Sequence, residues 1–127
     1  MSKNKKEVKT MKIVVGGSRD FCDYKVLREF LDKVLDGADL SDVTILSGGC
    51  RGADMLAEQY AAERGIWVER HPAEWDKYGR AAGVHRNCEM VDEADKVVAF
   101  WDEKSRGTKS LIEYAKKCGK ILEVKMI

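Results

Sequence analysis

The chain of 127 residues has the length of one domain, and its 44% of hydrophobic residues is enough for one core. The 23 Lys and Arg residues nearly balance the 22 Asp and Glu residues, giving a net charge of +1. Proteins that bind nucleic acid usually carry a strong basic excess, so this balance of charges argues against nucleic acid as a partner. Since no apolar run is long enough to span a bilayer, a membrane partner is not expected.

The cysteine and histidine spacing argues against a metal site. The four cysteines are Cys22, Cys50, Cys88 and Cys118. They form no CxxC pair, which is the usual spacing of a structural zinc site. His71 and His85 have no obvious second metal ligand, so they are expected to be structural or to hydrogen-bond a ligand. Free thiols without a secretory signal favour a reducing compartment, and we expect the protein to be cytoplasmic.

Strand and helix patterns alternate along the chain after a lysine-rich start at residues 1–10, which is expected to be a disordered tail. The predicted strands are Met11–Val15, Val43–Ser47, Ile66–Arg70, Lys96–Trp101 and Ile121–Val124. The predicted helices are Val26–Leu35 with Asp23 as N-cap, Asp54–Arg64, Ala81–Glu93 and Lys109–Lys117, with Gly37, Gly65 and Gly119 closing three of them. Such alternation predicts a single α/β domain over residues 11–127. We expect a Rossmann-like three-layer fold, with a five-stranded, mainly parallel sheet and helices on both faces.

Three loops that follow predicted strands combine glycine, a small hydroxyl and arginine. They are Gly16-Gly17-Ser18-Arg19-Asp20-Phe21, Ser47-Gly48-Gly49-Cys50-Arg51-Gly52-Ala53-Asp54 and Asp102-Glu103-Lys104-Ser105-Arg106-Gly107-Thr108. Glycine lets backbone amides approach a ligand, a helix N-terminus adds partial positive charge, and arginine binds phosphate through two hydrogen bonds. These loops therefore predict a site for a phosphate or pyrophosphate group.

The alternative interpretation is that these glycines only allow tight turns between strands and helices. It would suffice for any one of the loops. Because all three follow strands of one parallel sheet, they are expected at the same edge, which favours a ligand site. Neither a Walker A motif nor the GxGxxG fingerprint is present, so the sequence predicts neither an ATPase nor a dehydrogenase.

Other polar and aromatic residues are expected near the same edge. Arg86 and Asn87 lie on the helix before the fourth strand, and either bind the ligand or belong to the surface. Trp75 and Trp101 lie in or beside loops, where they either stack on a base or pack against the protein. The full predicted ligand-binding set is Gly17, Ser18, Arg19, Asp20, Ser47, Gly48, Gly49, Arg51, Gly52, Asp54, Trp75, Arg86, Asn87, Trp101, Ser105, Gly107 and Thr108.

Three carboxylates are candidates for acid or base catalysis. Glu113 follows the third loop and is the main candidate, with an ordinary solvent-facing glutamate as the alternative. Asp20 and Asp54 come from the first two loops, and Asp54 could instead be the N-cap of the second helix.

Further short motifs are Pro72-Ala73-Glu74-Trp75, Arg86-Asn87 with Met90, and Phe100-Trp101. Together with the three loops, they resemble the YspA/cpYpsA-related branch of the SLOG superfamily. The resemblance runs from about Lys12 to the C-terminus. It implies a Rossmann-like fold that binds nucleotides or nucleotide-derived ligands, an association into homodimers or higher homo-oligomers, and an occurrence in bacteria and phages. Relatives of the LOG type cleave the N-glycosidic bond of nucleoside monophosphates, and DprA-type relatives bind single-stranded DNA.

The catalytic glutamate of the LOG type does not carry over to this sequence. That family places it three residues after the threonine of its Gly-Thr motif, a position held here by Leu111, whereas Glu113 is five residues after Thr108. We therefore expect a protein that senses or sequesters a nucleotide or an NAD-derived, ADP-ribose-like ligand. We expect it to need no further cofactor and to be linked to phages or mobile elements. A LOG-like phosphoribohydrolase is the alternative, with an acid other than the family's glutamate.

Overall fold

A computed structural model describes residues 11–127 and has one parallel sheet of five strands; the expected tail at residues 1–10 lies outside the described residues. The strands are β1 (Met11–Gly17), β2 (Val43–Ser47), β3 (Trp67–Arg70), β4 (Lys96–Trp101) and β5 (Ile121–Met126). Their order across the sheet is β3-β2-β1-β4-β5, and every neighbouring pair is parallel. The predicted Rossmann-like fold is confirmed.

Helices connect the strands and cover both faces of the sheet. They are α1 (Tyr24–Val34), α2 (Ala53–Arg64), the short α3 (Trp75–Tyr78), α4 (Ala82–Glu93) and α5 (Arg106–Lys117), with 3₁₀ turns at Leu40–Asp42 and Gly79–Ala81. The Asp23 side chain accepts a hydrogen bond from the Val26 amide, as predicted for an N-cap. Within residues 11–127, no helix combines the length and the apolar character needed to cross a membrane.

Two predicted helix starts are corrected by the structure. Helix α5 begins at Arg106 rather than Lys109, because the Ser105 side chain caps it by accepting from the Thr108 amide. Gly107 and Thr108 therefore lie in the first helical turn and not in a loop. Helix α2 has Gly52 as its N-cap, so the N-cap alternative for Asp54 is wrong; this residue lies inside the first turn.

The core has two layers because both faces of the central strands are covered. On one face, Leu27 and Leu31 of α1 and Tyr60 of α2 pack with Ile13 and other strand residues. On the other face, α4 and α5 pack against the intervening strand residues. The chain adds β2 and β3 on one side of β1, and then β4 and β5 on the other side. The strand order therefore reverses between β1 and β4, and the segments that follow these two strands lead to opposite faces. In open α/β sheets, ligands bind in the crevice at such a switch point.

Candidate functional site

A cavity of about 560 Å³ lies at the carboxyl ends of β1, β2 and β4, at the switch point of the sheet. Four chain segments line it: the end of β1 with its following loop, the loop after β2 with the start of α2, the middle of α4, and the loop after β4 with the first part of α5. Its volume is in the range of cavities that hold a small organic ligand.

Eleven residues of the predicted set line this cavity together. They are Gly17, Ser18, Arg19, Asp20, Arg51, Asp54, Arg86, Asn87, Ser105, Gly107 and Thr108. The other six residues of the set do not line it: Ser47, Gly48, Gly49, Gly52, Trp75 and Trp101. The catalytic candidate Glu113 does not line it either. Arg19, Arg51 and Gly107 thus share one cavity although they come from three separate segments.

Two glycines outside the lining let the segments around the cavity approach each other. A Cβ atom on Gly52 would lie 2.3 Å from the Ser18 carbonyl oxygen, and its φ of +84° also favours glycine. A Cβ atom on Gly48 would lie 2.6 Å from the Arg86 Nη1 atom. Gly52 therefore requires glycine because backbone atoms come close, whereas a side chain on Gly48 would displace the Arg86 guanidinium. Gly107 differs, since a Cβ atom there would meet nothing of the described chain within 4 Å.

Ser47 does not line the cavity, and its hydroxyl stabilises the second loop through hydrogen bonds. Its hydroxyl donates to Glu58 Oε2 across 2.7 Å and accepts from the Gly49 amide across 3.1 Å. Glu58 also pairs with Arg70, at the end of β3. These contacts fix the turn after β2 and account for the small hydroxyl at this position.

Arg86 is buried, with 7% of its surface exposed, and joins α4 to the second loop. Its Nη1 group donates to the Gly48 carbonyl across 2.8 Å, and its Nε donates to Asn87 Oδ1 across 2.8 Å. The sequence left Arg86 as either a ligand contact or a surface charge; its burial excludes the surface charge. The guanidinium is a fixed positive charge in the cavity wall.

Asp54 is the buried carboxylate of the cavity, with 8% of its surface exposed. Its Oδ2 atom accepts from the Cys50 amide across 3.1 Å. Burial raises the pKa of Asp54 to about 6, against the opposing effects of the Cys50 hydrogen bond and the Arg86 charge. The residue therefore changes charge close to neutral pH.

Ser18 and Asp102 connect the loops that follow β1 and β4. The Ser18 hydroxyl donates to Asp102 Oδ2 across 3.2 Å and accepts from the Asp20 amide. The other oxygen of Asp102 accepts from the Lys104 and Ser105 amides, each across 2.8 Å. These backbone hydrogen bonds lower the pKa of Asp102, so the carboxylate stays ionised.

The first turn of α5 faces the cavity through Gly107 and Thr108. The hydroxyls of Ser105 and Thr108 lie 3.0 Å apart, and the Ser105 hydroxyl accepts from the Thr108 amide. In the first turn of any helix, the leading amides have no carbonyl partner of the same helix. Since Gly107 has no side chain, this turn offers an anion direct access to backbone amides.

The cavity rim carries charges of both signs. Arg51 lies 3.6 Å from Asp20, and both side chains are largely exposed. Exposed pairs of this kind are held weakly, so either partner is available to a ligand. Arg19 and Lys104 add two more positive charges to the lining.

Three predicted residues lie outside the cavity: the aromatic Trp75 and Trp101 and the main catalytic candidate, Glu113, whereas the other catalytic candidates, Asp20 and Asp54, line it. Trp75 begins α3 and is 56% exposed outside the cavity. Trp101 donates from Nε1 to the Ser105 carbonyl across 3.2 Å, which supports the loop before α5. Glu113 is exposed on α5 and does not line the cavity, whereas Leu111 is buried and does.

His71 has two carboxylate neighbours, although the sequence indicated no second metal-type ligand near it. Its Nε2 atom lies 2.6 Å from Glu69 Oε2 and 4.0 Å from Glu93 Oε1. The Lys12 ammonium lies 3.7 Å and 3.6 Å from the same two glutamates. Lys12 therefore pairs with both glutamates that surround His71, and none of these four residues lines the cavity.

Six lining residues were absent from the predicted set: Gly16, Cys50, Met90, Asp102, Lys104 and Leu111. Asp102 had a usable signal, because an aspartate two or three residues before a helix cap commonly accepts from the following amides. Met90 and Leu111 had a signal only in the family resemblance, which includes Met90 and places Leu111 at the catalytic position of the LOG type; apolar spacing alone does not separate core residues from cavity residues.

A family model for the YspA, cpYpsA-related SLOG family matches residues 11–78. The Gene 61 protein of Mycobacterium phage D29 is 34% identical in an alignment of 114 positions that covers 85% of this chain and 90% of that protein. The chain belongs to the YspA/cpYpsA-related SLOG family. The matched segment contains the first two cavity loops, so family membership and cavity geometry concern the same residues.

Two DNA processing proteins have the same fold as this SLOG protein. That of Streptococcus pneumoniae (DprA) has a TM-score of 0.70 at 18% identity, and that of Helicobacter pylori has a TM-score of 0.65 at 20% identity. Each comparison covers 91% of this chain but only 50% and 65% of the respective structures. The Helicobacter protein is described as binding single-stranded DNA. At this identity the likeness shows the fold alone.

Proposed function

We propose that this SLOG protein binds a phosphorylated nucleotide-type small molecule, such as a nucleotide or an ADP-ribose-like NAD derivative, and senses or sequesters it. The observation that carries the proposal is the cavity at the switch point, which Arg19, Arg51, Arg86 and Lys104 line together with the first turn of α5. Guanidinium groups and free helix amides are the groups that proteins use to bind phosphate.

Leu111 occupies the position of the catalytic residue of the LOG type, and this favours binding without hydrolysis. In those relatives a glutamate three residues after the threonine serves the reaction, and here that position is Leu111. Leu111 is buried against the cavity, and the nearby Glu113 is exposed outside it. A leucine can neither donate a proton to a departing base nor stabilise a cationic sugar.

A phosphoribohydrolase is the second candidate, and one observation favours it. Asp54 is a buried carboxylate in the cavity whose pKa is raised to about 6 by burial. A group that titrates near the working pH is suited to acid or base catalysis. If the protein is such an enzyme, Asp54 and not Glu113 supplies the acid.

Calorimetric titration with AMP and ADP-ribose, followed by chromatography of the mixture, tests both candidates. We expect saturable binding, unchanged ligand after incubation, and affinity losses of about tenfold or more for Arg19→Ala and Arg51→Ala. The matched control is Arg80→Ala, since Arg80 is exposed and outside the cavity. If the wild-type protein releases adenine from AMP and the Asp54→Asn variant does not, the phosphoribohydrolase is established. Salt-sensitive binding of a single-stranded oligonucleotide without nucleotide binding would replace both candidates with a DNA-binding role.

A further inference from the structure

A second cavity of about 570 Å³ adjoins the first one at the same edge of the sheet. The two cavities share Ser18, Asp20 and Asp102, so the hydrogen bond between Ser18 and Asp102 belongs to the walls of both. Beyond these shared residues, the second cavity is formed by the loop between β1 and α1 and by the end of β5. A ligand that passes over the shared residues would contact both cavities.

The new residues of this second cavity are partly apolar. Phe21, Val26, Met126 and Ile127 line it. Phe21 is held in place because its ring stacks on the ring of Phe100, with centroids 5.2 Å apart. The Ile127 amide donates to the Trp101 carbonyl across 3.0 Å, which fixes the chain at the end of β5. The cavity therefore offers a preformed apolar surface to a ring.

The charges of the second cavity differ from those of the first. Among residues 11–127, three carboxylates line it, from Asp20, Asp23 and Asp102, and Lys125 is the one cation in its lining. Such a lining repels a second phosphate group. It suits a neutral or cationic ring, and its carboxylates accept hydrogen bonds from ribose hydroxyls or from an exocyclic amine.

We propose that the second cavity is a subsite for a neutral or cationic heterocyclic nucleoside, and that the ligand is of the dinucleotide class. The inference rests on the proposed function, since it requires the phosphate-bearing part of the ligand in the first cavity. A mononucleotide needs only one cavity of this size. Both cavities contain carboxylates, but the first is rich in cations and the second has an apolar surface and few cations, and this difference matches the two ends of a molecule such as NAD⁺.

Titration of the full chain with AMP, NAD⁺ and NADH tests the subsite. The wild-type protein should bind NAD⁺ about tenfold or more tightly than AMP, because only NAD⁺ reaches both cavities. It should also bind NAD⁺ more tightly than NADH, which has the same size but an uncharged nicotinamide ring. Cys22 also lines the second cavity and not the first. Cys22→Trp therefore places a large side chain at the second cavity and should remove the NAD⁺ advantage while leaving AMP affinity unchanged. The matched control is Cys118→Trp, because Cys118 is also exposed but lines neither cavity.

The outcomes separate this inference from the proposed function. Binding of AMP and NAD⁺ with equal affinity, or an NAD⁺ advantage that survives both Cys22→Trp and Val26→Phe, overturns the subsite and leaves the proposed function standing. If neither ligand binds the wild-type protein, the proposed function fails and the subsite fails with it. Circular dichroism of each variant identifies any loss of binding that comes from misfolding.

Discussion

The Arg86 guanidinium donates to the Gly48 carbonyl across 2.8 Å, although the two residues are 38 positions apart in the chain. The contact is close because Gly48 has no side chain; a Cβ atom there would collide with the guanidinium. Through this bond, α4 and the loop after β2 form one wall of the cavity. The bond also holds a positive charge inside the site.

Arg86→Lys should weaken both folding and ligand binding. Lysine keeps the charge, but its single nitrogen cannot reproduce the planar set of bonds to Gly48 and Asn87. We expect a loss of about 1–3 kcal/mol in the free energy of unfolding, measured with denaturant, and weaker binding of ADP-ribose by calorimetry. The control Arg80→Lys changes an exposed arginine outside the cavity and should alter neither quantity. Equal behaviour of the two variants would show that the buried bond is unimportant.

Gly52→Ala should destabilise the protein because two loops meet at this residue. Gly79→Ala is a matched control, since Gly79 has the same ψ of −130° as Gly52 and a positive φ of 56°, but no contact from the described part of the chain lies within 4 Å of its Cβ position. Both variants carry backbone strain, and only Gly52→Ala adds a collision with the Ser18 carbonyl. We expect Gly52→Ala to cost about 1–3 kcal/mol more than the control in denaturant unfolding. A cost no greater than that of Gly79→Ala would mean that the loops separate easily.

Asp54 should make the stability of the protein depend on pH. Burial raises the folded-state pKa to about 6 from an ordinary value of 3.8, so the folded protein holds this proton more tightly than the unfolded chain does. The resulting stabilisation is fully present below pH 4 and is lost as the pH rises through 6, by about 2–3 kcal/mol. Unfolding measured from pH 4 to 8 should show this decline in the wild type and not in Asp54→Asn. If the exposed Asp36→Asn variant removes it equally, Asp54 is not its source.

The affinity for ADP-ribose should fall as the pH rises from 5 to 7.5. Ionised Asp54 places a negative charge beside the bound phosphates, whereas the pyrophosphate itself does not titrate in this range. Asp54→Asn should keep the wild type's low-pH affinity at every pH. Calorimetric titrations at several pH values measure this, and a wild-type affinity that is constant with pH would contradict a phosphate group close to Asp54.

The sequence predicted the sheet well because its strands are short β-branched runs separated by amphipathic helices. The bounds of β2 and β4 agree with the prediction residue by residue. The sequence predicted the start of α5 poorly, because Gly107 in its first turn favours a loop over a helix. A cap by Ser105 becomes visible only when its hydroxyl is seen to accept from the Thr108 amide.

The site was predictable as a location and less so in its details. Loops after parallel strands must meet at one edge, and this brings Arg19, Arg51 and Gly107 together. Which small residue faces the ligand and which supports the fold depends on distant partners. Ser47 illustrates this, since its hydroxyl is engaged by Glu58 of α2, a contact that no local pattern reveals.

A crystal structure of the protein with ADP-ribose tests the central claim most directly. Our account predicts that the pyrophosphate lies in the cavity between Arg51 and the first turn of α5, within hydrogen-bond distance of the Gly107 amide. Clear density for ADP-ribose on another surface, with this cavity holding only water, would contradict it.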